Sequence, residues 1–313
     1  MTRHCIDRGS RAAVLAVALA LACVASCTST GKASGYPTPQ GAADALVAAL
    51  RPYDAARLRT VLGSEGEEML SSGDDVADRA QIDAFLAAYA AKHAVVAEGD
   101  RAVIVVGEGD WPLPIPVIRD GDSWHFDIEQ GKDELLDRRI GKNELSAIEV
   151  CRAICDAQHE YAEGDRDGQG AGAFAARVLS TEGKHDGLFW RAAAGEPESP
   201  LGALVAEAAA EGYGAKPDHA SGRHPYHGYF YRILAAQGPA APGGKMDYAP
   251  NGRMTGGFAV LAEPAEYASS GVMTFEIGPD GVVYQCDLGP DTAAVAAGIK
   301  AFDPDEKWMV VRN

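Results

Sequence analysis

The spacing of apolar residues changes several times along the chain. A continuous apolar run at 12–25, AAVLAVALALACVA, comes first, and helical spacing follows it. Ala43, Leu46, Val47 and Leu50 share one face, which predicts a helix over 39–51. A second short helix is expected over 54–62, ended by Gly63. A third over 78–93 places Ile82, Phe85, Leu86 and Tyr89 together, after a turn at 71–74. The period then falls to two. Residues 94–98 and 101–106 read as strands joined by a hairpin at Gly99-Asp100.

The stretch Trp111-Pro-Leu-Pro-Ile-Pro-Val117 has Pro112, Pro114 and Pro116 at alternate positions. In a strand, alternate amides point to one edge, so one edge has no donors and the other keeps them. Such a segment belongs at a sheet edge or in a polyproline stretch. It blocks edge-to-edge aggregation, or it presents Trp111 in a binding groove. A strand at 123–128 follows the turn Asp120-Gly121-Asp122.

A long helix is expected over 134–161, interrupted near Gly141, with Asn143 as N-cap of its second part. That part is apolar over a wide face, as a central helix would be. A Gly-rich polar loop, 163–172, and a helix at 201–210 come next. The last third is strand-rich, at 226–235, 257–262, 272–277 and 282–288, with a strong turn at Gly278-Pro-Asp-Gly281. Val282, Tyr284, Cys286 and Leu288 alternate onto one face, expected to meet the helix that carries Cys151 and Cys155. The fold class expected is α+β. A helical N-terminal region with a small antiparallel sheet fills 37–131. A long helix on an antiparallel sheet of about four strands fills 132–313.

Charge and composition narrow the function classes. The 313 residues carry 28 Lys+Arg against 45 Asp+Glu, a net of −17. An excess of this size argues against nucleic acid as a partner and against electrostatic docking on anionic lipid. The apolar run at 12–25 is too short to span a bilayer and follows Arg3, Arg8 and Arg11, which reads as a secretory signal over 1–26. Val24-Ala25-Ser26-Cys27 resembles a bacterial lipobox. That resemblance implies cleavage after Ser26 and diacylation of Cys27, the membrane partner being reached through the lipid anchor. Residues 27–36 would form the anchored tether. Thr28, where Asp would signal retention, resembles lipoproteins that reach the outer membrane.

Three cysteines remain after such processing: Cys151, Cys155 and Cys286. They could stay buried as free thiols, or Cys151 or Cys155 could bridge to Cys286. A metal or reactive site is the third reading, with His159 at matching spacing. No metal and no cofactor is expected. Asp165-x-Asp167-x-Gln169-Gly170 opens like a calcium loop, but its twelfth position is Ala176 rather than Glu. His219, His224 and His227 fit no zinc spacing. Ser180 to Gly187 (STEGKHDG) is dense in polar groups yet too local for a triad. Arg138 suits an ion pair with Glu134, and Arg139 could bind an anion.

The order of several motifs carries a family resemblance. These include Trp111-Pro-Leu-Pro-Ile-Pro, Trp124-His-Phe-Asp127, Arg138-Arg-Ile-Gly-Lys-Asn-Glu144 and Asp156-Ala-Gln-His-Glu-Tyr-Ala162. Ser180-Thr-Glu-Gly-Lys-His-Asp-Gly-Leu-Phe-Trp190, Ser199-Pro-Leu-Gly202, His227-Gly-Tyr229 and Ser270-Gly-Val-Met-Thr-Phe275 continue the series. From about Tyr36 to Trp308 the chain resembles the bacterial family catalogued as domain of unknown function 2950. The resemblance implies an exported protein and no particular activity. The second half also resembles the globular heads of type IV pilins and pseudopilins, without their stem helix. The expected function is a non-catalytic binding or structural lipoprotein of the cell envelope, with an envelope protein as partner. The alternative is a periplasmic hydrolase with a pocket around Lys184, His185 and Asp186, joined by His159, Arg139 and Trp190.

Overall fold

The computed structural model describes residues 33–166, 168–193, 195–213 and 224–312. The expected signal, Cys27, most of the tether, Asp167 and His219 lie outside the described residues. The end of the expected tether does not hang free. Ser34 N donates to Thr60 O at 2.9 Å, and Tyr36 exchanges two backbone hydrogen bonds of 2.7 Å with Trp124.

Three helices open the fold: α1 (Pro39–Leu50), α2 (Ala55–Glu68) and α3 (Asp75–Ala91). Thr38 caps α1 by accepting from Gly41 N at 3.0 Å, and Asp74 caps α3 by accepting from Ala77 N at 3.1 Å. α2 breaks at the expected place: Gly63 takes φ 80°, ψ 172° and ends the first helical stretch, and a second stretch runs on to Glu68. Five strands follow: β1 (His93–Glu98), β2 (Arg101–Val106), β3 (Trp111–Pro112), β4 (Val117–Asp120) and β5 (Ser123–Phe126). They form an antiparallel sheet of order β1-β2-β4-β5, with β3 also on β2.

The proline run explains that branching. β3 and β4 share β2, with Val106 opposite Trp111 but Ala102 opposite Val117. Five residues of the run therefore span three of β2, and Pro114-Ile115 bulges out. Leu113, between prolines, donates its N–H to Ile104 O at 2.7 Å. On the edge without donors, Arg138 Nη1 donates to Pro112 O at 3.1 Å.

α4 (Ile128–Glu163) is one continuous 36-residue helix. Gly141 does not interrupt it, and Asn143 lies inside it rather than capping it. The expected pair is present, with Arg138 Nε 2.7 Å from Glu134 Oε1. Beyond α4 come α5 (Gly202–Glu211), β6 (Tyr229–Leu234), β7 (Ala236–Gln237), β8 (Met246–Asp247), β9 (Ala259–Pro264), β10 (Met273–Ile277), β11 (Val283–Asp287), α6 (Thr292–Gly298) and β12 (Met309–Val310). The second sheet is antiparallel with five strands, β12-β11-β10-β9-β6, and α4 packs across β9 and β10. The fold is α+β, with one hydrophobic cluster drawn from Ala42 to Ile128 and another from Ala147 to Phe302.

The sheet's parity corrects one expectation. Ile277 pairs with Val283, and both join the core under α4. Tyr284 and Cys286, one step out of phase, face the other side. There Tyr284 meets Phe302 at 5.8 Å between ring centroids, and Arg232 donates to Ile299 O at 2.7 Å and to Ala296 O. Cys286 therefore turns away from α4, while Cys155 Sγ lies 3.7 Å from Gly278 O at the head of the β10–β11 turn. A bridge from Cys151 or Cys155 to Cys286 would have to cross the sheet, and all three are buried free thiols. Burial pushes the Cys151 thiol up to about 12 and the Cys155 thiol up to about 11.

Candidate functional site

The densest polar arrangement lies where the middle of α4 passes between the two cores. Arg139 is 5% exposed. Its Nη1 donates to Ser71 O at 3.2 Å and Ser269 Oγ at 3.5 Å, and its Nη2 donates to Met69 O. Burial lowers its pKa, while the Asp78 and Glu266 carboxylates facing it act the other way. One turn on, Asn143 Nδ2 donates to Ser270 O at 2.9 Å. Glu144 Oε1 accepts from Val272 N at 3.0 Å and Met273 N at 2.9 Å.

Asp74 binds the same junction from the other side. It is 1% exposed. Besides capping α3, it accepts from Tyr213 Oη at 2.9 Å and Gly228 N at 2.8 Å. Gly228 has φ +75°, and a Cβ there would lie 2.5 Å from Asn143 Nδ2, so only glycine fits. Burial, then the nearby Asp74 charge, pushes the Tyr213 phenol far above its ordinary range.

Beside this junction the N-terminal unit holds an apolar chamber of about 180 Å³. Leu46 and Leu50 of α1, Leu62 of α2, Ile82 and Phe85 of α3 and Leu135 of α4 wall it. Ile115, from the bulged proline run, closes one side, with Asp78 and Arg139 at its edge. α4 can lie this close because of Gly131, where a Cβ would come within 2.6 Å of Ile115 Cα. A second hollow of about 320 Å³ adjoins the chamber, sharing Leu70, Asp78 and Ile82 and adding Tyr53, Ser71, Asp75 and Arg79.

The residues of the hydrolase reading do not come together here. Arg139 and His159 are 20 residues apart on one unbroken helix, which puts them about 30 Å apart. His159 is exposed, bonded through Nε2 to Pro279 O at 3.0 Å and edge-on to Phe258. Lys184 and Asp186 sit in a hydrogen-bonded turn. Asp186 accepts from Thr181 N at 2.7 Å and Thr181 Oγ1 at 2.8 Å. Partial burial opposes its charge, but those bonds, with Arg177 and Lys184 nearby, hold its carboxyl below the ordinary range. His185 stacks on Trp190 at 4.4 Å, Arg166 lies over the same indole, and Trp190 Nε1 donates to Pro197 O at 3.2 Å. Only His185 and Trp190 are in ring contact. Trp111 stands on β3, 68% exposed, outside the chamber.

Asp74, Asn143 and Glu144 were not expected as junction residues. Asp74 read only as a turn residue and Asn143 only as a cap. Both are local roles, whereas the junction partners Tyr213 and Gly228 of Asp74 and Ser270 of Asn143 lie more than 100 residues away in sequence. Among the described residues no group of three or more His, Cys, Asp or Glu is placed to hold a metal, and no helix is long and apolar enough to cross a membrane.

The architecture defines an α+β protein in which one helix serves a small helical-and-sheet unit and a larger antiparallel-sheet unit. The chain belongs to the family described as protein of unknown function (DUF2950), whose profile matches residues 33–311. No curated protein and no solved structure matches it.

Proposed function

We propose that the protein is an exported bacterial lipoprotein. Acyl chains on Cys27 hold it at the outer membrane, facing the periplasm, and it acts there by binding rather than by catalysis. The observation that carries the non-catalytic reading is the scatter of the polar residues. The two terminal nitrogens of Arg139 are held by the Ser71 and Met69 carbonyls, Asp186 by its own turn and His159 by the Pro279 carbonyl. A general acid and base must reach one substrate atom together. The anchoring reading rests on the residues before the described fold, Val24-Ala25-Ser26-Cys27 after a short apolar run. Two or more acyl chains suffice for stable attachment without a basic patch, as a chain of net −17 requires.

Detergent phase separation of cells making the protein tests the anchor. The native chain is expected in the detergent phase and Cys27→Ala in the aqueous phase; a Cys27→Ala chain that stays with the membrane overturns this part. A panel of generic ester, amide and glycoside substrates tests the rest. No turnover is expected, and turnover abolished by Asp186→Ala would establish the hydrolase instead.

A further inference from the structure

We infer that the apolar chamber is a binding site for a small uncharged carbonyl compound, a ketone or ester of six to eight carbons whose oxygen accepts from Arg139 Nε. This rests on the reading of the protein as a binder rather than an enzyme, and it gives that reading a ligand class.

The chamber sets the body. Its volume of about 180 Å³ slightly exceeds the ~150 Å³ of an engineered leucine-lined cavity that binds benzene. One ring or one short alkyl chain fills it. The polar residues of its wall are Asp78, Gln81 and Arg139, and the rest of the lining is hydrocarbon.

Arg139 sets the head. Its side chain is held in place by Nη1, which donates to Ser71 O and Ser269 Oγ, and by Nη2, which donates to Met69 O. Its Nε is buried with no acceptor among the described residues. A buried donor in that state has given up water and gained nothing, and an oxygen carried in by a ligand removes the cost. Asp78 does not meet the need. Its carboxylate accepts instead from Ser72 N at 2.8 Å and Ser72 Oγ at 2.6 Å. A pure hydrocarbon would cover the apolar walls and leave Nε unpaired.

Charge selects a neutral oxygen. The Asp78 and Glu266 carboxylates face the Arg139 guanidinium, so its single positive charge is already balanced. A carboxylate head would add to that negative charge and would lose its own water on entry. An ammonium head carries donors alone, and the unpaired group here is itself a donor. A carbonyl oxygen supplies an acceptor with no net charge to desolvate. The adjoining hollow gives the way in: its rim includes the exposed Tyr53, Asp75 and Arg79, and it shares Leu70 and Ile82 with the chamber.

Isothermal titration of the full chain in bilayer nanodiscs tests the site, with empty nanodiscs as the blank for partitioning. The probes are acetophenone, ethylbenzene, benzoate and benzylammonium, which share a ring and differ in the head. Acetophenone is expected to bind about tenfold or more tighter than each of the others. In proton–nitrogen spectra the Arg139 Nε–H resonance is expected to move with acetophenone and to stay in place with ethylbenzene. Ile82→Trp fills the passage and is expected to abolish acetophenone binding; Leu135→Trp, from another wall, does the same should the first variant fold poorly. Arg139→Lys keeps the charge but removes the Nε–H, and is expected to bring acetophenone down to the affinity of ethylbenzene. Should that variant not fold, the Nε–H resonance of the native chain decides. Ethylbenzene, benzoate or benzylammonium binding as tightly as acetophenone overturns the proposal. So does an absence of acetophenone binding, an unmoved Nε–H resonance, or binding untouched in a folded filled variant. None of these outcomes bears on the anchor at Cys27 or on turnover, which fractionation and the substrate panel test separately.

Discussion

Glu276 shows how far a single side chain can depart from its ordinary chemistry. It is 1% exposed in the middle of β10. Burial pushes its carboxyl up to about 8, Asp303 and Asp305 add to the rise, and Arg232 and a hydrogen bond from the Asp303 backbone oppose it. The folded chain therefore holds a proton at neutral pH that the unfolded chain releases near the ordinary carboxylate range. The stabilising contribution is complete in acid and is lost as pH rises toward about 8. Glu276→Gln is expected to flatten the fall in unfolding free energy between pH 5 and pH 8, a difference of a few kcal/mol at the alkaline end. Urea titrations at several pH values measure it, and parallel profiles for the two proteins would contradict it. Nothing in the sequence marks Glu276. Thr274 and Glu276 alternate with Met273, Phe275 and Ile277, the pattern of a strand with one wet face. That face is instead covered by α6 and the segment around Phe302. Alternation shows that two faces differ, not what lies over the second. For the same reason alternation alone places Cys286 toward α4, the wrong face.

Helices and strands were more legible than their limits. α1, α3, β1, β2, β10 and β11 lie within a few residues of the predicted spans; all but β1 bury one face against a core, and β1, with only Val95 half-buried, is marked by its β-rich residues and the Gly99-Asp100 turn. The apolar spacing predicts α4 too short and broken, since Gly131 and Gly141 weaken a helical pattern. The two glycines serve opposite local needs. At Gly141 an added Cβ meets nothing within 4 Å, whereas at Gly131 it meets Ile115 Cα at 2.6 Å and Pro114 O at 2.9 Å. Gly141→Ala is expected to stabilise the fold by about 0.5–1 kcal/mol through helix propensity. Gly131→Ala is expected to cost about 1–3 kcal/mol because the helix must lift off the proline run. Thermal unfolding of the two variants should shift in opposite directions; a shift of the same sign would show that the contact yields freely. Periodicity does not reveal the short strands β7, β8 and β12, because two residues carry no period.

At the scale of the whole molecule, the junction joins units that sequence position keeps apart. Asp74 lies at the start of α3, yet Tyr213 and Gly228 depend on it. Asp74→Ala leaves two buried donors without an acceptor and is expected to cost about 2–4 kcal/mol. Hydrogen exchange should then show protection falling in α1 and β9 alike; a loss confined to one unit would mean that the junction does not couple them. The α+β class was legible from the change in period along the chain, but the sharing of α4 was not, since its two halves show the same helical spacing while facing different cores. That sharing also sets an order in time. A chain made or exported from its N-terminus presents α1 to β5 first, with the chamber still open on one side. Leu135 and Arg139, which close it and hold the carbonyls of Met69 and Ser71, arrive only with the first turns of α4. The leading unit therefore completes its fold with residues from the helix that begins the trailing one.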